Sequence, residues 1–363
     1  MVSRIIIHCD LDAFFAAVET LHHNLNPEIP LILGSDPKGG KGRGIVSTCN
    51  YAARRFGVHS AMPISEAWRR CPGPPHGSGH YLKSTRGLYS RASRKVMSIL
   101  SRHADQFEKA SIDEAYLDVT DYCAGDWDLA LSLCRLMQTE IMEKLGLSAS
   151  FGIGSTRIIA KMGSEENKPA GIHRTLPDEI TKFFHNRSVR EIPGIGPKTA
   201  TRLAEWGITT VDDVEEHGQI SLARFTSERF STWLVRVIEG ETSDEVSQLK
   251  SRKSVGKEFT FDRDQRNSEV VLDKLTILVK QVMTRAKEMG VAGRLAEVKI
   301  RYKGFETHTH GRSIPVAMDD EPVFMRTAHR LFAQHVDLEK PVRLVGFRLG
   351  NLEMPNTRQS TLD

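Results

Sequence analysis

Residues 4–9, RIIIHC, are apolar at both odd and even positions. A half-buried strand would alternate, so this run predicts a central strand covered on both faces. Asp10 closes it. AFFAAVETLHH then places Phe14, Ala17, Val18 and Leu21 on one side of a predicted helix. PLILG, from Pro30, and GIVSTC predict two short strands around the loop DPKGGKGRG, and NYAARRFG predicts a helix. CPGPPHGSGH, at 71–80, is dense in Gly and Pro and marks a boundary. A helix pattern over about 84–103 comes next, then an acidic hairpin, a helix over 126–145 and the strand ASFGIGS.

At Pro193 the pattern changes. PGIGPKTATRLAEWGITTVDDV predicts a turn, a helix capped near Gly207 and the start of another helix. Residues 241–252, ETSDEVSQLKSR, are polar without periodicity and are expected to be a linker. Beyond them KSVGKEFTF predicts a strand, and 268–289 a helix with Val271, Leu275, Leu278 and Val282 on one face. RLAEVKIRYK and VRLVGFRLG alternate as strands on either side of a helix over about 322–336. The fold class is therefore multidomain α+β, ending in a small α+β domain.

Composition narrows the class. With 363 residues, 39% hydrophobic and 26% charged, the chain has the make-up of a globular protein of several domains. No apolar run reaches the length of a membrane span, and the start is too short for a signal peptide. Five scattered cysteines fit reduced thiols and a cytoplasmic setting. Cys71, His76 and His80 lie close together, but without a Cys-x-x-Cys pair they make a poor zinc site. The net charge of +4 is unevenly spread: 251–348 hold 19 Lys and Arg against 13 Asp and Glu. A basic excess confined to one segment suits either a polyanion partner or a solvated surface.

The candidate chemistry starts from FEKASIDEAYLDVT, 107–120. Asp113 and Glu114 stand side by side in a strand-like stretch whose other face positions, Ala115, Leu117 and Val119, are apolar. Adjacent strand residues point to opposite faces unless a turn or bulge re-aims them. With Asp10 at the end of the first strand, these acids could form a magnesium seat for phosphoryl or nucleotidyl transfer. A solvated hairpin turn is the plainer alternative. PGIGPKT, 193–199, has helix–hairpin–helix form, in which Gly194, Gly196, Lys198 and Thr199 would let backbone N–H groups approach a DNA phosphate. In TCNYAARR, 48–55, Tyr51 shares a helix face with Arg54 or Arg55, which suits a polyphosphate or merely solvent.

Five stretches stand in one order: DLDAFFAAVE, STCNYAARRFGVHSAMP, SIDEAYLDVT, GIGSTRIIAKMGSEENKPAGI and IPGIGPKTA. Together they resemble the Y-family translesion DNA polymerases of the DinB type, from residue 4 to about 350. The resemblance implies a right-hand polymerase of palm, fingers and helical thumb plus a C-terminal little finger. The expected divisions are palm 1–14 and 80–174, fingers 15–79, thumb 175–240, linker 241–252, little finger 253–350 and tail 351–363. It further implies that Asp10, Asp113 and Glu114, with the Leu11 carbonyl, hold two Mg2+ ions. Asp12 fits the motif without a metal role; capping the following helix is its alternative. Phe15 resembles the steric gate that excludes a ribose 2′-OH. Phe14, Thr48, Tyr51, Arg54 and Lys168 resemble contacts to the deoxynucleotide. Lys253, Lys257, Arg301 and Arg348 are the expected DNA contacts of the little finger.

The implied activity is low-fidelity, template-directed extension of a primer by a monomeric enzyme without proofreading. A cyclase with a similar sheet, or a DNA-binding scaffold with structural acids, would be the rivals. Without metal the acids are expected to repel, leaving the site strained or loosely ordered. QSTLD, 359–363, resembles the start of a sliding-clamp peptide, with Gln359 and Leu362 docking. The aromatic residues that usually complete that peptide are absent, so clamp binding is expected to be weak. The short N-terminus favours an archaeal or bacterial source.

Overall fold

The computed structural model describes residues 3–85, 87–242, 245–247, 252–337 and 339–354. The chain divides into two compact units, Met1–Gln248 and Leu249–Asp363. The expected clamp residues Gln359 and Leu362 lie outside the described residues.

In the first unit the chain runs through β1 (Ile6–Leu11), α1 (Phe14–His22), β2 (Leu31–Gly34), β3 (Val46–Cys49), α2 (Tyr51–Arg54), α3 (Ile64–Arg70) and β4 (His80–Leu82). It continues through α4 (Leu88–Leu100), β5 (Gln106–Lys109), β6 (Glu114–Asp118), α5 (Trp127–Leu145), β7 (Ala149–Gly154), α6 (Arg157–Glu166) and β8 (Ile172–Arg174). Five strands form one sheet in the order β5–β6–β1–β7–β8, with β1 central. Both of its faces are covered, as the unbroken apolar run requires. Ile7, Cys9 and Leu11 join Leu117, Phe151, Val96 and Met137 in the main core, beneath α4 and α5.

The opposite face, bearing Ile6, His8 and Asp10, meets α6. Gly152, the cross-strand partner of His8, allows this. A Cβ there would lie 1.9 Å from the Ala160 carbonyl oxygen and 2.3 Å from the Ser164 nitrogen. Only glycine permits α6 to pack so close to the sheet.

β3–β2–β4 form a second, three-stranded sheet. Two expected divisions need correction here. β4, at 80–82, completes this small sheet, beyond the division drawn at 79. The division between 14 and 15 cuts through α1, whose Phe14 and Val18 sit in the main core while Ala16 packs with Leu31 and Leu33. A helix that serves two sheets carries no local signal of which one it belongs to.

α7 (Ile180–Phe184), α8 (Pro197–Ala204), α9 (Val211–Phe225) and α10 (Glu228–Ile238) form a helical region around Ile195, Leu203, Val214, Leu222 and Leu234. Thr210 caps α9 with Asp213 in a reciprocal capping box. The expected linker is not free along its whole length. Val246 is buried with Ile6, Tyr116 and Ala160, and the Ser247 N–H donates to Glu108 at 3.2 Å.

The second unit comprises β9 (Ser254–Gln265), α11 (Ser268–Glu288), β10 (Ala292–Tyr302), β11 (Thr307–Met318), α12 (Glu321–His335) and β12 (Val342–Glu353). Its antiparallel sheet has the order β11–β10–β12–β9. α11 and α12 bury Leu275, Val279, Phe324 and Leu331 against Val298, Ile300, Val345 and Phe347. The pattern did not predict β11, THTHGRSIPVAM. It is an edge strand, mostly exposed, and it carries Pro315, so neither face shows an apolar stripe.

Candidate active site

β1 pairs antiparallel with β6 so that Asp10 stands opposite Glu114. Cross-strand partners share a face, with Cβ atoms about 4.5–5.5 Å apart. Asp113 lies just before β6, in a turn where the N–H groups of Ala110 and Ser111 both donate to the Glu114 carbonyl, at 3.0 and 3.1 Å. Two residues facing one is the pattern of a bulge, which frees Asp113 from strand alternation. The Ser111 hydroxyl accepts the N–H groups of Asp113 and Glu114 and donates to the Asp113 carboxylate. The Leu11 N–H donates to the Asp113 carbonyl at 3.1 Å. The main chain therefore sets Asp10, Leu11, Asp113 and Glu114 side by side.

Two lysines meet these acids. Lys168 Nζ lies 2.7 Å from Asp10 and 2.6 Å from Glu165, and Lys161 Nζ lies 2.7 Å from Glu114. Burial pushes the Asp10 carboxyl up to about 7, against the pull of Lys168. The His8 ring and the Lys161 ammonium hold Glu114 well below the usual carboxylate range. With these side-chain pairings, no three His, Cys, Asp or Glu groups among the described residues converge on one point. The donor set nonetheless suits a hard divalent cation: three carboxylates and a backbone carbonyl, one acid being disfavoured as an anion until more positive charge arrives.

Sequence reasoning missed Lys161 and His8. His8 is fully buried, and its Nδ1 bonds the Ser164 hydroxyl at 2.8 Å. That hydroxyl also bonds the Lys161 carbonyl at 2.7 Å. Nε2 stands 3.9 Å from Glu114, and burial pushes the imidazole down to about 4. Lys161 lies on α6, whereas Lys168 follows the end of that helix at Glu166, so no helical spacing in the sequence links the two.

Asn50 aims the α2 residues. Its side chain caps α2 by accepting from Ala53, also accepts the Leu31 N–H, and donates to the Pro27 and Ile29 carbonyls. The Arg54 guanidinium lies 4.6 Å over the Tyr51 ring. Burial, then the negative charge of Asp12, pushes the Tyr51 hydroxyl up. Thr48 is half-buried in β3. Phe15 is partly buried and stacks on Tyr89. Phe14 is 3% exposed and sits in the main core.

Gly194 takes a φ of 105°, and its α-carbon faces Trp233 so closely that a Cβ would meet the ring at 3.2 Å. Gly196 is the N-cap of α8, with Lys198 and Thr199 in the first turn. In the second unit, Arg301 and Arg348 lie on the sheet face away from the helices, while Lys257 does not share it. Lys257 pairs with buried Phe347, on the side of Val255 and Phe261. Lys253 precedes β9 and is exposed. Arg348 is ion-paired to Glu297, and Lys299 to Glu258 at 2.8 Å.

Residues 9–165 match the impB/mucB/samB family, 252–362 its C-terminal domain, and 177–208 its HHH motif. The chain is 40% identical over 362 residues to a DNA polymerase IV of Methanoculleus marisnigri, covering 99% of this chain and 98% of that one. It is 38% identical over 352 residues to a DNA polymerase IV of Streptococcus pneumoniae, covering 96% and 97%. Among solved structures, a Y-family DNA polymerase chimera matches with a TM-score of 0.85 at 29% identity, covering 96% of this chain and 99% of that one. An insertion ternary complex of Dbh DNA polymerase matches at 0.67, with 28% identity and the same coverage. Among the described residues no helix is long and apolar enough to cross a membrane.

Proposed function

The chain belongs to the impB/mucB/samB family, and on that premise we propose that it is a DinB-type, Y-family DNA-directed DNA polymerase that carries out translesion synthesis on a primer–template. The observation that carries the reading is the register of β1 and β6, which sets Asp10 opposite Glu114 with Asp113 beside them. Two Mg2+ ions held by these acids and the Leu11 carbonyl would supply activation of the primer 3′-hydroxyl and neutralisation of the triphosphate.

The residues of the chain do the rest. Lys168, already reaching Asp10, turns to the triphosphate, and Arg54 and Tyr51 meet it from α2 with Thr48. Phe15 lies beneath the sugar and rejects a 2′-hydroxyl by its bulk. Gly194, Gly196, Lys198 and Thr199 hold a DNA phosphate at the start of α8. Arg301 and Arg348 offer the second unit's open sheet face to the backbone of the duplex. In this reading residues 1–14 and 80–174 act as palm, 15–79 as fingers, 175–240 as thumb and 253–350 as little finger. The fingers then extend to 82 and the palm resumes at 83, so that β4 stays with its own sheet.

The test is primer extension with deoxynucleotides and Mg2+ on an undamaged and an abasic template. Elongation on both, stopped by a chelator, is expected. DNA binding without elongation would overturn the reading.

A further inference from the structure

Asp12 is 3% exposed, and a buried carboxylate is costly unless donors satisfy it. It does not cap α1: the N-cap there is Ala13, with no side-chain cap bond. Its oxygens reach across the sequence instead. Oδ1 accepts from the Ser150 hydroxyl at 2.8 Å, and Oδ2 accepts from the Ala170 N–H at 2.9 Å.

Ser150 is the β7 partner of Asp10, so the sheet itself fixes one of these donors. The other belongs to the turn that carries Lys168. Ala170 holds a left-handed φ of 56°, uncommon for a residue with a Cβ. Gln138 Nε2 ties the Ala170 carbonyl to the Ala149 carbonyl with bonds of 3.0 and 2.9 Å. Lys168 thus projects from a turn anchored to β7, and its ammonium arrives 2.7 Å from Asp10.

We infer that Asp12 is a positioning residue: by fixing the 168–171 turn it aims Lys168 at the nucleotide's triphosphate. The inference rests on the proposed triphosphate role of Lys168. A long lysine stem has many rotamers, and a fixed root removes much of the freedom that binding would otherwise have to suppress. With its two oxygens taken by Ser150 and Ala170, Asp12 acts through the turn rather than as a ligand.

A double-mutant cycle tests this. Affinity for a non-hydrolysable deoxynucleoside triphosphate is measured with Mg2+ and a dideoxy-terminated primer–template. The proteins are the full chain and its Asp12→Ala, Lys168→Ala and doubly substituted forms. Each single substitution is expected to weaken binding about tenfold, the scale of a misplaced contact, and the pair no more than either alone. DNA affinity serves as the control and is expected to stay near the parent value, while melting temperature is followed because Asp12→Ala leaves two donors without their acceptor.

A nil effect of Asp12→Ala, or a roughly hundredfold loss in the double variant from independent contributions, overturns the positioning role while leaving Lys168 as a ligand. An unchanged affinity in Lys168→Ala removes the triphosphate role of Lys168 and the inference with it. Should Asp12→Ala fail to fold, Asp12→Asn runs the same cycle. Its amide nitrogen must face one of the two donors, so one bond is lost at nearly constant size, and a severalfold loss confined to the Lys168 background is expected.

Discussion

The Phe15 ring lies on the Tyr89 ring, with centroids 4.2 Å apart and planes 16° from parallel. Tyr89 is itself held. Its hydroxyl donates to Glu19, a carboxylate with no exposed side-chain surface that also accepts the Thr85 N–H at 2.7 Å and the Thr85 hydroxyl at 2.9 Å. Burial alone would raise the Glu19 carboxyl, yet the Tyr89 and Thr85 bonds bring it below its ordinary value. The proposed gate therefore stands on a stacked ring with a fixed hydroxyl. Phe15→Ala is expected to raise ribonucleotide use and spare deoxynucleotide use, with a loss of sugar discrimination of about 2–4 kcal/mol. Tyr89→Phe keeps the stack but frees the ring, and a smaller shift in the same direction is expected. Single-nucleotide insertion kinetics with matched sugars measure both, and unchanged selectivity in Phe15→Ala would remove the gate.

Asp113→Ala is expected to abolish primer extension while leaving DNA affinity near the parent value. Among the described residues the side chain is bonded within its own turn, to Ser111, so its loss disturbs little else. Normal extension would refute its metal role.

Lys161 gives a different signature. In the metal-free protein it neutralises Glu114 through a pair whose side chains are each 27% exposed. A pair that open is worth about 1 kcal/mol or less, so Lys161→Ala is expected to lower the melting temperature by roughly 1–3 °C. Added Mg2+ should recover more of that loss than the same Mg2+ stabilises the parent. Equal Mg2+ effects on both proteins, read by thermal melting, would argue against Glu114 as a shared site of lysine and metal.

Arg348 is held back by Glu297 on the neighbouring strand, its directly opposite partner in the ladder. Glu297→Gln is expected to tighten DNA binding and steepen its salt dependence by about one unit of slope, whereas Arg348→Ala does the reverse. Fluorescence anisotropy across a salt series checks both. An unaltered slope in Glu297→Gln would mean that the sheet face does not meet DNA.

Asp213 accepts the N–H groups of Thr210 and Thr209, each at 2.8 Å, and these bonds hold its carboxyl down at about 2. A depressed value stabilises the fold above the unfolded-state pKa. That contribution is lost as pH falls from about 4 toward 2. The start of α9 is expected to fray over that window, and in Asp213→Asn the acid sensitivity should be absent. Amide exchange at 209–213 measures it.

How much of this was legible in the sequence depended on the range of the forces involved. β1 was readable because a strand covered on both faces is apolar on both parities up to Asp10, His8 apart. β11 was not, because an exposed edge strand lacks an apolar face. Asp10, Asp113 and Glu114 were found by their motifs, but their lysine partners depend on Gly152 letting α6 descend onto the sheet. Nothing local to 161 announces that approach. Asp12 was ambiguous for the same reason: a cap bond is local and a bond to Ala170 is not. Lys257 was expected alongside Arg301 and Arg348, whereas strand alternation turns it to the other face of the sheet.

β1 is the middle strand of its sheet, and that has a consequence for biosynthesis. Asp10 leaves the ribosome early, yet its partners at 114, 150 and 168 are made more than a hundred residues later. Contacts so distant along the chain form slowly and together. A polypeptide that stalls between about residues 120 and 148 carries every acid of the site and lacks both β7, which flanks β1, and the lysine turn. Premature termination in that region should therefore yield inert fragments rather than an unregulated, error-prone enzyme.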